Sequence, residues 1–393
     1  MSEFDVIVIG GGPGGAGAAI RLAQGGARVL LAERERFPRA KLCGEFISPE
    51  CLRHFARLGV LAGVRASGGV EVSETVFYAP SGRGVGVPSG WFGDGSRAAL
   101  GLSRAEMDRR LVERAREAGA VVVEDAACSG VLAEGGRVRG VRLAVKGGAA
   151  REHRAPVTID ATGRARAVAR HVACGGAGKS RAAYVAFKAH LEGARAAAGA
   201  CEIYFYPGGY GGLSPVEGGR NNLCFIARAE DVRARGSDAE RVVCEILMKN
   251  RRAAHTLAPV SVCGRWLAVS LESFGRAEPA PAEGLLAVGD AAAFIDPFTG
   301  SGMLMALESG ELAARTILGW LDAAGDNLYE LSREYAARYD ERFDTRLRVC
   351  RLLRRAAFAP APLAELAVLT LGASDGARRR LARATRGRRR APA

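Results

Sequence analysis

Four glycines and one acid near the N-terminus carry the clearest chemistry in this chain. The segment Asp5-Val-Ile-Val-Ile-Gly10-Gly-Gly12-Pro13-Gly14-Gly15 is followed by Glu33, 18 residues beyond Gly15. Glycine at 10 permits a tight turn, glycine at 12 lets backbone approach a pyrophosphate, and glycine at 15 allows close helix–strand packing. A helix opening there, with Pro13 and Gly14 in its first turn, aims unpaired N–H groups and its positive dipole end at phosphates. A carboxylate at Glu33 can accept hydrogen bonds from a ribose diol, and Arg34 beside it is grouped with the same site. The spacing predicts dinucleotide binding; an ordinary strand–helix–strand turn is the bland alternative.

A second segment, Gly284-Leu-Leu-Ala-Val-Gly289-Asp290-Ala-Ala-Ala-Phe-Ile-Asp296-Pro297-Phe298-Thr299-Gly300-Ser301-Gly302-Met303, lies about 280 residues downstream. A strand would deliver Asp290 to its C-terminal edge, where a carboxylate can bond a polyol chain. Pro297 stiffens the next turn, and Gly300, Ser301 and Gly302 lead into a long helix with bare amides, followed by Met303. Such amides suit the pyrimidine edge of an isoalloxazine ring, which gains negative charge on reduction. The two segments together select FAD over a nicotinamide dinucleotide.

Two further segments could act on a substrate. In Lys41-Leu-Cys43-Gly44-Glu45 a thiol next to a cation could line the flavin face, where the cation would favour thiolate; Cys43 could equally be one more small buried hydrophobe. Glu45 reads as a hydrogen-bonding partner in the pocket rather than a catalytic acid. Arg39 and Lys41 either neutralise phosphates or are solvated loop charges. In Tyr204-Phe205-Tyr206-Pro207-Gly208-Gly209-Tyr210, strand alternation puts Tyr204 and Tyr206 on one face and Phe205 on the other. Tyr204, Tyr206 and Tyr210 are expected to wall the substrate pocket, with Tyr206 able to deliver a proton; ordinary sheet core is the alternative. The five histidines show no ligand spacing and no catalytic motif.

The elements that must position these groups follow from periodicity. Strands are predicted at Val6–Ile9 and Arg28–Leu31 around a small-residue helix over 16–24, and an amphipathic helix over 104–118. Strands follow at 121–126, 130–133, 137–145 and 157–160. Residues 181–270 read as β-rich, with one helix over 238–249. The α/β pattern returns with strand 284–288 and helix 302–321; the apolar stretch 359–371 is broken by prolines. The fold class is therefore α/β: a discontinuous Rossmann-like FAD-binding domain (1–66, 100–180 and 271–320) with an inserted mixed β-sheet substrate domain (67–99 and 181–270). C-terminal helices span 321–376, and 377–393 is a basic tail expected to be disordered.

Length and composition agree with two joined domains. The chain has 393 residues, 48% hydrophobic and 25% charged, which excludes wholesale disorder. The immediate entry into a strand argues against a signal peptide, and no run of 18 apolar residues occurs. Nine cysteines without CxxC or Cys/His ligand spacing point to a reducing cytoplasm, not to a disulfide framework or zinc. The net charge of +14 is concentrated at the end, where 377–393 holds eight arginines and no acid. With no aromatics among them there is no platform for base stacking, so no specific nucleic-acid partner is expected. Peripheral contact with an anionic membrane stays open.

The chain resembles the geranylgeranyl reductase-like branch of the FAD-dependent oxidoreductases related to class A flavin monooxygenases, from about residue 3 to residue 320. The resemblance rests on the two glycine segments, Glu33, Lys41 through Glu45, Arg104, Ala161-Thr162-Gly163-Arg164, and Gly289-Asp290 through Met303. It implies FAD on a Rossmann-like domain roofed by a β-sheet, with Arg104, Thr162 and Gly163 beside the cofactor. It also implies electrons from NADPH, NADH or a protein carrier. Two departures matter: Thr162-Gly163 stands where monooxygenases carry Asp-Gly, and Ala293 where many hydroxylases carry His. The tryptophan signature and catalytic lysine segment of flavin halogenases are missing. The Cys43-Gly44 segment and the Ala293 departure tilt the reading toward C=C reduction of a hydrophobic isoprenoid or polyketide-type substrate. Hydroxylation of an aromatic or polyketide substrate is the alternative, and a non-catalytic flavin-holding protein docked by its basic tail is the remaining one.

Overall fold

Val6–Ile9, Val29–Ala32 and Val157–Asp160 are buried along their whole length, the pattern of parallel strands covered on both faces. They form the centre of a five-stranded parallel sheet in the order Leu285–Ala287, Val157–Asp160, Val6–Ile9, Val29–Ala32, Val121–Val123. The computed structural model describes residues 3–92, 98–172, 182–271, 274–358 and 360–386. The helix Pro13–Gln24 fills one face of this sheet and packs on the long helix Gly302–Asp322. Their approach is close because a side chain at Gly310 would come within 2.3 Å of the Gly14 carbonyl. The other face is closed by Ala126–Glu134, Arg137–Val145 and Arg151–Arg154, an antiparallel three-stranded sheet.

Above the C-terminal edge of the parallel sheet lies a seven-stranded sheet. Its order is Ser261–Leu271, Tyr184–Glu192, Arg220–Arg228, Gly209–Val216, Ala200–Tyr206, Glu74–Tyr78, Gly84–Pro88. Only the Ala200–Tyr206/Glu74–Tyr78 pair is parallel. One face packs against Ala239–Glu245 and Arg251–Leu257, where the sequence pattern predicts one continuous helix over 238–249; the helix stops at Glu245, and a 3₁₀ turn (Leu247–Lys249) and an Asn250-capped start of the next helix follow. The other face looks inward.

Two expectations about the C-terminus are corrected. The stretch 359–371 is not broken by its prolines: Ala361–Gly372 is a helix, with Pro360 as its N-cap and Pro362 in its first turn. Proline is tolerated there because those N–H groups have no intrahelical partner. The tail is not disordered from residue 377: Asp375–Ala384 is a helix capped by Ser374. Arg378 donates to the Gly86 carbonyl at 2.7 Å, and Arg378 and Arg379 lie over the Trp91 ring. Arg386 is buried over Phe92, 3.4 Å from Glu50, and its carbonyl accepts from the buried Arg346. Burial holds the Arg386 guanidinium below its ordinary range, with Glu50 opposing. The arginines at 388–390 lie outside the described residues.

Candidate active site

The glycines of the first segment divide into two kinds. Gly10 has φ of +109°, and a side chain there would lie 2.4 Å from the Ala161 carbonyl; at Gly15 it would meet the Gly10 carbonyl at 1.9 Å. A side chain at Gly14 would press on the Ala306 carbonyl at 3.0 Å. The chain's own packing demands these three. Gly12 is different: only an Arg104 nitrogen, at 3.7 Å, comes within 4 Å of its missing side chain. Its backbone, N-capping Pro13–Gln24, lies open beneath a guanidinium, which is the arrangement a phosphate requires. Gly44 and Gly302 have nothing within 4 Å, whereas the φ of +68° at Gly163 favours glycine by itself. Bare backbone that no packing explains fits a ligand lying close against it, and FAD suits the charges around it.

Those charges come from four elements. Arg104, buried at the start of the helix Arg104–Glu117, makes a two-pronged ion pair with Asp108 at 2.9 and 2.7 Å. Arg39 joins Asp108 at 2.9 Å and Glu33 at 3.3 Å. Burial works against the charge on Arg104, but Asp108 and the adjacent Cys43 sulfur hold it above its ordinary range. The Lys41 side chain remains solvent-accessible, yet the cleft walls and the guanidinium groups of Arg104, Arg39 and Arg34 push its ammonium below the usual range. Asp290, in the 3₁₀ turn Gly289–Ala291 that follows the strand Leu285–Ala287, is pushed up by burial, opposed by Lys41, Arg104 and Arg164. Positive charge thus lies over the glycine loop and an acid faces it, as a pyrophosphate and a ribitol would each need.

Glu33 is more committed than its spacing suggests. It is buried, and its carboxylate accepts from the Gly11 N–H at 2.9 Å and the Glu35 N–H at 3.2 Å. It therefore pins the glycine loop, and a ribose contact would share those oxygens. Arg34 is exposed and pairs with Glu35 at 3.2 Å. Thr162 donates its hydroxyl to Asp160 at 2.6 Å and accepts from the Ala167 N–H at 2.7 Å, so it shapes the turn before Gly163. Asp160, fully buried, also accepts from Val168 and Ala169 and organises the whole crossing. The sequence reading missed it, although an acid closing an apolar strand was visible. In the second segment the Gly289 N–H donates to Ser309, and Gly300 adopts φ of +58°. Ser301 bonds Thr299 at 2.8 Å and N-caps Gly302–Asp322, which places Met303 in its first turn. Pro297 opens a 3₁₀ turn capped by Asp296.

The loop 41–45 is clamped to the inner face of the seven-stranded sheet. Glu45, fully buried with φ of +54°, accepts from Lys188, from the Arg104 N–H at 2.8 Å, and bonds His190 at 2.7 Å. Burial opposes the Glu45 charge, but His190 and Lys188 hold its carboxyl below the ordinary range. Lys188 also reaches the Lys41 carbonyl at 3.2 Å, and Asn222 donates to the Cys43 carbonyl at 3.0 Å. Cys43 is half-buried; its sulfur accepts from the Glu45 N–H at 3.4 Å and faces Arg104. Glu45 is thus the anchor of the Cys43 loop rather than a wall of an open pocket. His190, one of five histidines without a motif, belongs to the anchor. Neither it nor Lys188 could be found from local sequence, because both partners lie more than 140 residues away.

The tyrosine assignments are corrected. Tyr204 and Tyr206 share a face as alternation requires, but it is the outer one, packed against the helices over 239–257. The Tyr204 hydroxyl donates to the buried Glu202 at 2.7 Å, and that of Tyr206 to the Ile226 carbonyl at 2.9 Å. Burial drives both hydroxyls well above their ordinary range, so Tyr206 has neither the position nor the acidity of a proton donor. The inner face carries Phe205 and Tyr210 instead. Phe77, Phe205 and Phe298 form a ring cluster with centroids 5.6 to 6.4 Å apart, and Tyr210 meets Phe298 at 5.4 Å and Phe358 at 5.8 Å. Tyr210 donates to Asp296, and burial keeps its hydroxyl protonated. The half-buried rings of Phe77, Phe205 and Phe298 give the cleft an apolar wall next to the Pro297–Gly302 turn.

The chain belongs to the family described as the FAD binding domain, whose model matches residues 3–336, and with its relatives this makes it an FAD-dependent oxidoreductase of the geranylgeranyl reductase type. Among its relatives is digeranylgeranylglycerophospholipid reductase 2 of Methanopyrus kandleri, 30% identical over 87% of this chain and 83% of that one. The digeranylgeranylglycerophospholipid reductase of Methanosarcina mazei is 27% identical over 86% and 80%. Among solved structures, a geranylgeranyl bacteriochlorophyll reductase-like protein from Thermoplasma acidophilum aligns with a TM-score of 0.80 at 22% identity, covering 98% of this chain and 96% of the other. The myxobacterial chondrochloren halogenase aligns at 0.75 and 27% identity, over 86% and 79%.

Proposed function

We propose that this chain saturates carbon–carbon double bonds in the isoprenoid chains of a lipid, drawing electrons from NADPH, NADH or a protein carrier. The observation that carries this reading is the apolar wall of Phe77, Phe205 and Phe298 beside the Pro297–Gly302 turn. A polyprenyl chain lying there would bury partly exposed ring surface at roughly 25 cal/mol per Å². The relatives named for reducing digeranylgeranylglycerophospholipids support the same substrate class. Bound FAD, once reduced by that electron donor, would supply a hydride to one alkene carbon.

The chain's own residues do the rest. Arg104 and Lys41, with the open amides around Gly12, would hold the pyrophosphate, Asp290 the ribitol, and the amides of 300–302 the pyrimidine edge of the flavin. The Cys43 thiol gives its proton to the other alkene carbon and is reprotonated from water, while Arg104 beside it steadies the charge in between. Glu45, Lys188 and Asn222 keep that thiol in place.

The test is an anaerobic incubation of the FAD-loaded protein, reduced by dithionite, with a digeranylgeranylglycerophospholipid. A mass gain of two hydrogens per double bond is the expected product. An unchanged lipid under these conditions, or a product formed only in air and carrying one added oxygen, refutes the reading. Cys43→Ser is expected to keep FAD but slow turnover at least tenfold; an unchanged rate would return Cys43 to simple packing.

A further inference from the structure

The helix Ala361–Gly372 leaves an apolar stripe in water. Leu363, Leu366 and Leu369, at i, i+3 and i+6, are 55%, 55% and 48% exposed. Its opposite side is fixed: Val368 is buried with Ala79 and Val85, and Glu365 bonds both the N–H and the hydroxyl of Ser81 at 2.7 Å. The stripe is therefore presented by an anchored helix. Around it the charge is one-sided. Residues 345–393 hold thirteen arginines against two acids, +11 of the chain's +14. Glu365 bonds Ser81 and Asp375 pairs with Arg378, while Arg346, Arg354 and Arg386 turn to Glu308, Asp296 and Glu50. Arg379, Arg380 and Arg383, on the adjoining helix Asp375–Ala384, are exposed, as is Leu381.

We infer that this surface docks the protein on an anionic phospholipid bilayer, with the leucines in the acyl boundary and the arginines at the headgroups. An interfacial helix of this kind joins two weak signals, apolar burial and attraction of basic residues to anionic lipid. Charge complementarity selects this occupant: a second copy would bring the exposed Arg379, Arg380 and Arg383 against themselves. The surface also lies beyond residue 336, where the family match ends. It is continuous with the cleft, because Val368 and Leu371 pack with Phe77, which meets Phe205 and Phe298. Resting on the reading given above, the inference adds the route: a lipid tail would leave the bilayer beneath this helix and reach the flavin turn along those rings.

The experiment is co-sedimentation of the FAD-loaded full chain with phosphatidylcholine vesicles, with and without phosphatidylglycerol, at low and high salt. The wild type is expected to bind the anionic vesicles and to be released by salt. Leu363→Gln/Leu366→Gln/Leu369→Gln should weaken binding at least tenfold with flavin content and melting temperature kept. Arg379→Gln/Arg380→Gln/Arg383→Gln should weaken it about a hundredfold, as expected for three basic residues at an anionic surface. Absence of binding by the wild type, equal binding to neutral vesicles, or undiminished binding by both variants overturns the inference. So does a wild-type dimer in sedimentation velocity that the leucine variant dissolves. Binding does not depend on turnover, so a protein that docks normally but leaves the lipid unreduced would refute the proposed reaction and leave the docking surface standing.

Discussion

Replacing Glu45 by glutamine tests whether the loop bearing Cys43 is held by charge. The wild-type carboxylate is fully buried and shares its two oxygens among Lys188, His190 and the Arg104 N–H. Glutamine keeps the shape but strands the Lys188 ammonium, 4% exposed, with the Lys41 carbonyl as its remaining acceptor among the described residues. Breaking a buried pair from one side costs about 3–5 kcal/mol, because a charge is left uncompensated. Lys188→Met with Glu45→Gln removes both charges, so the double variant should recover much of that loss. The assay is thermal unfolding of the FAD-loaded protein for the two single variants and the double. The sign with pH follows from the depressed carboxyl. Stability from Glu45 is fully present above its unfolded value, near 4.5, and is lost as pH falls through the lower folded value. The gap between wild type and Glu45→Gln should therefore be widest above about pH 5 and should close in acid. A Glu45→Gln protein as stable as wild type at neutral pH, or a gap that widens in acid, would refute the reasoning.

Two further outcomes separate site from scaffold. Gly12→Val should give a folded protein unable to retain FAD, because only Arg104 stands near the added atoms, whereas Gly15→Ala should fail to fold because its side chain would meet the Gly10 carbonyl at 1.9 Å; a yellow, fully loaded Gly12→Val protein would contradict this. Tyr206→Phe removes a buried bond to the Ile226 carbonyl and should cost about 1–2 kcal/mol without slowing turnover per folded molecule. Tyr210→Phe loosens Asp296 and the turn it caps, and should lower turnover; steady-state rates normalised to flavin content distinguish the two.

Much of the nucleotide-binding half was legible because its signals are local. A glycine's backbone freedom, a proline at a helix start and an apolar run of four act within a few residues, so the strand, loop and helix of 6–24 follow from spacing alone. The proline-containing helix over 361–372 was misread as a broken stretch for a local reason too: proline breaks a helix interior but not its first turn.

The catalytic half depended on contacts between distant segments. Alternation in Tyr204-Phe205-Tyr206 determined that the tyrosines share a face and that Phe205 opposes them. Which face met the cleft was decided by the helices over 239–257, which cover the tyrosine side. Glu45 found Lys188 and His190 across more than 140 residues, and Arg386 left a charge run to be buried beside Glu50. A buried charge needs its counter-charge, and sequence shows the charge without showing which distant strand will bring the partner. The amino-acid sequence by itself thus determined the cofactor loop and its strands; tertiary packing decided which side chains face the flavin cleft and which hold it shut.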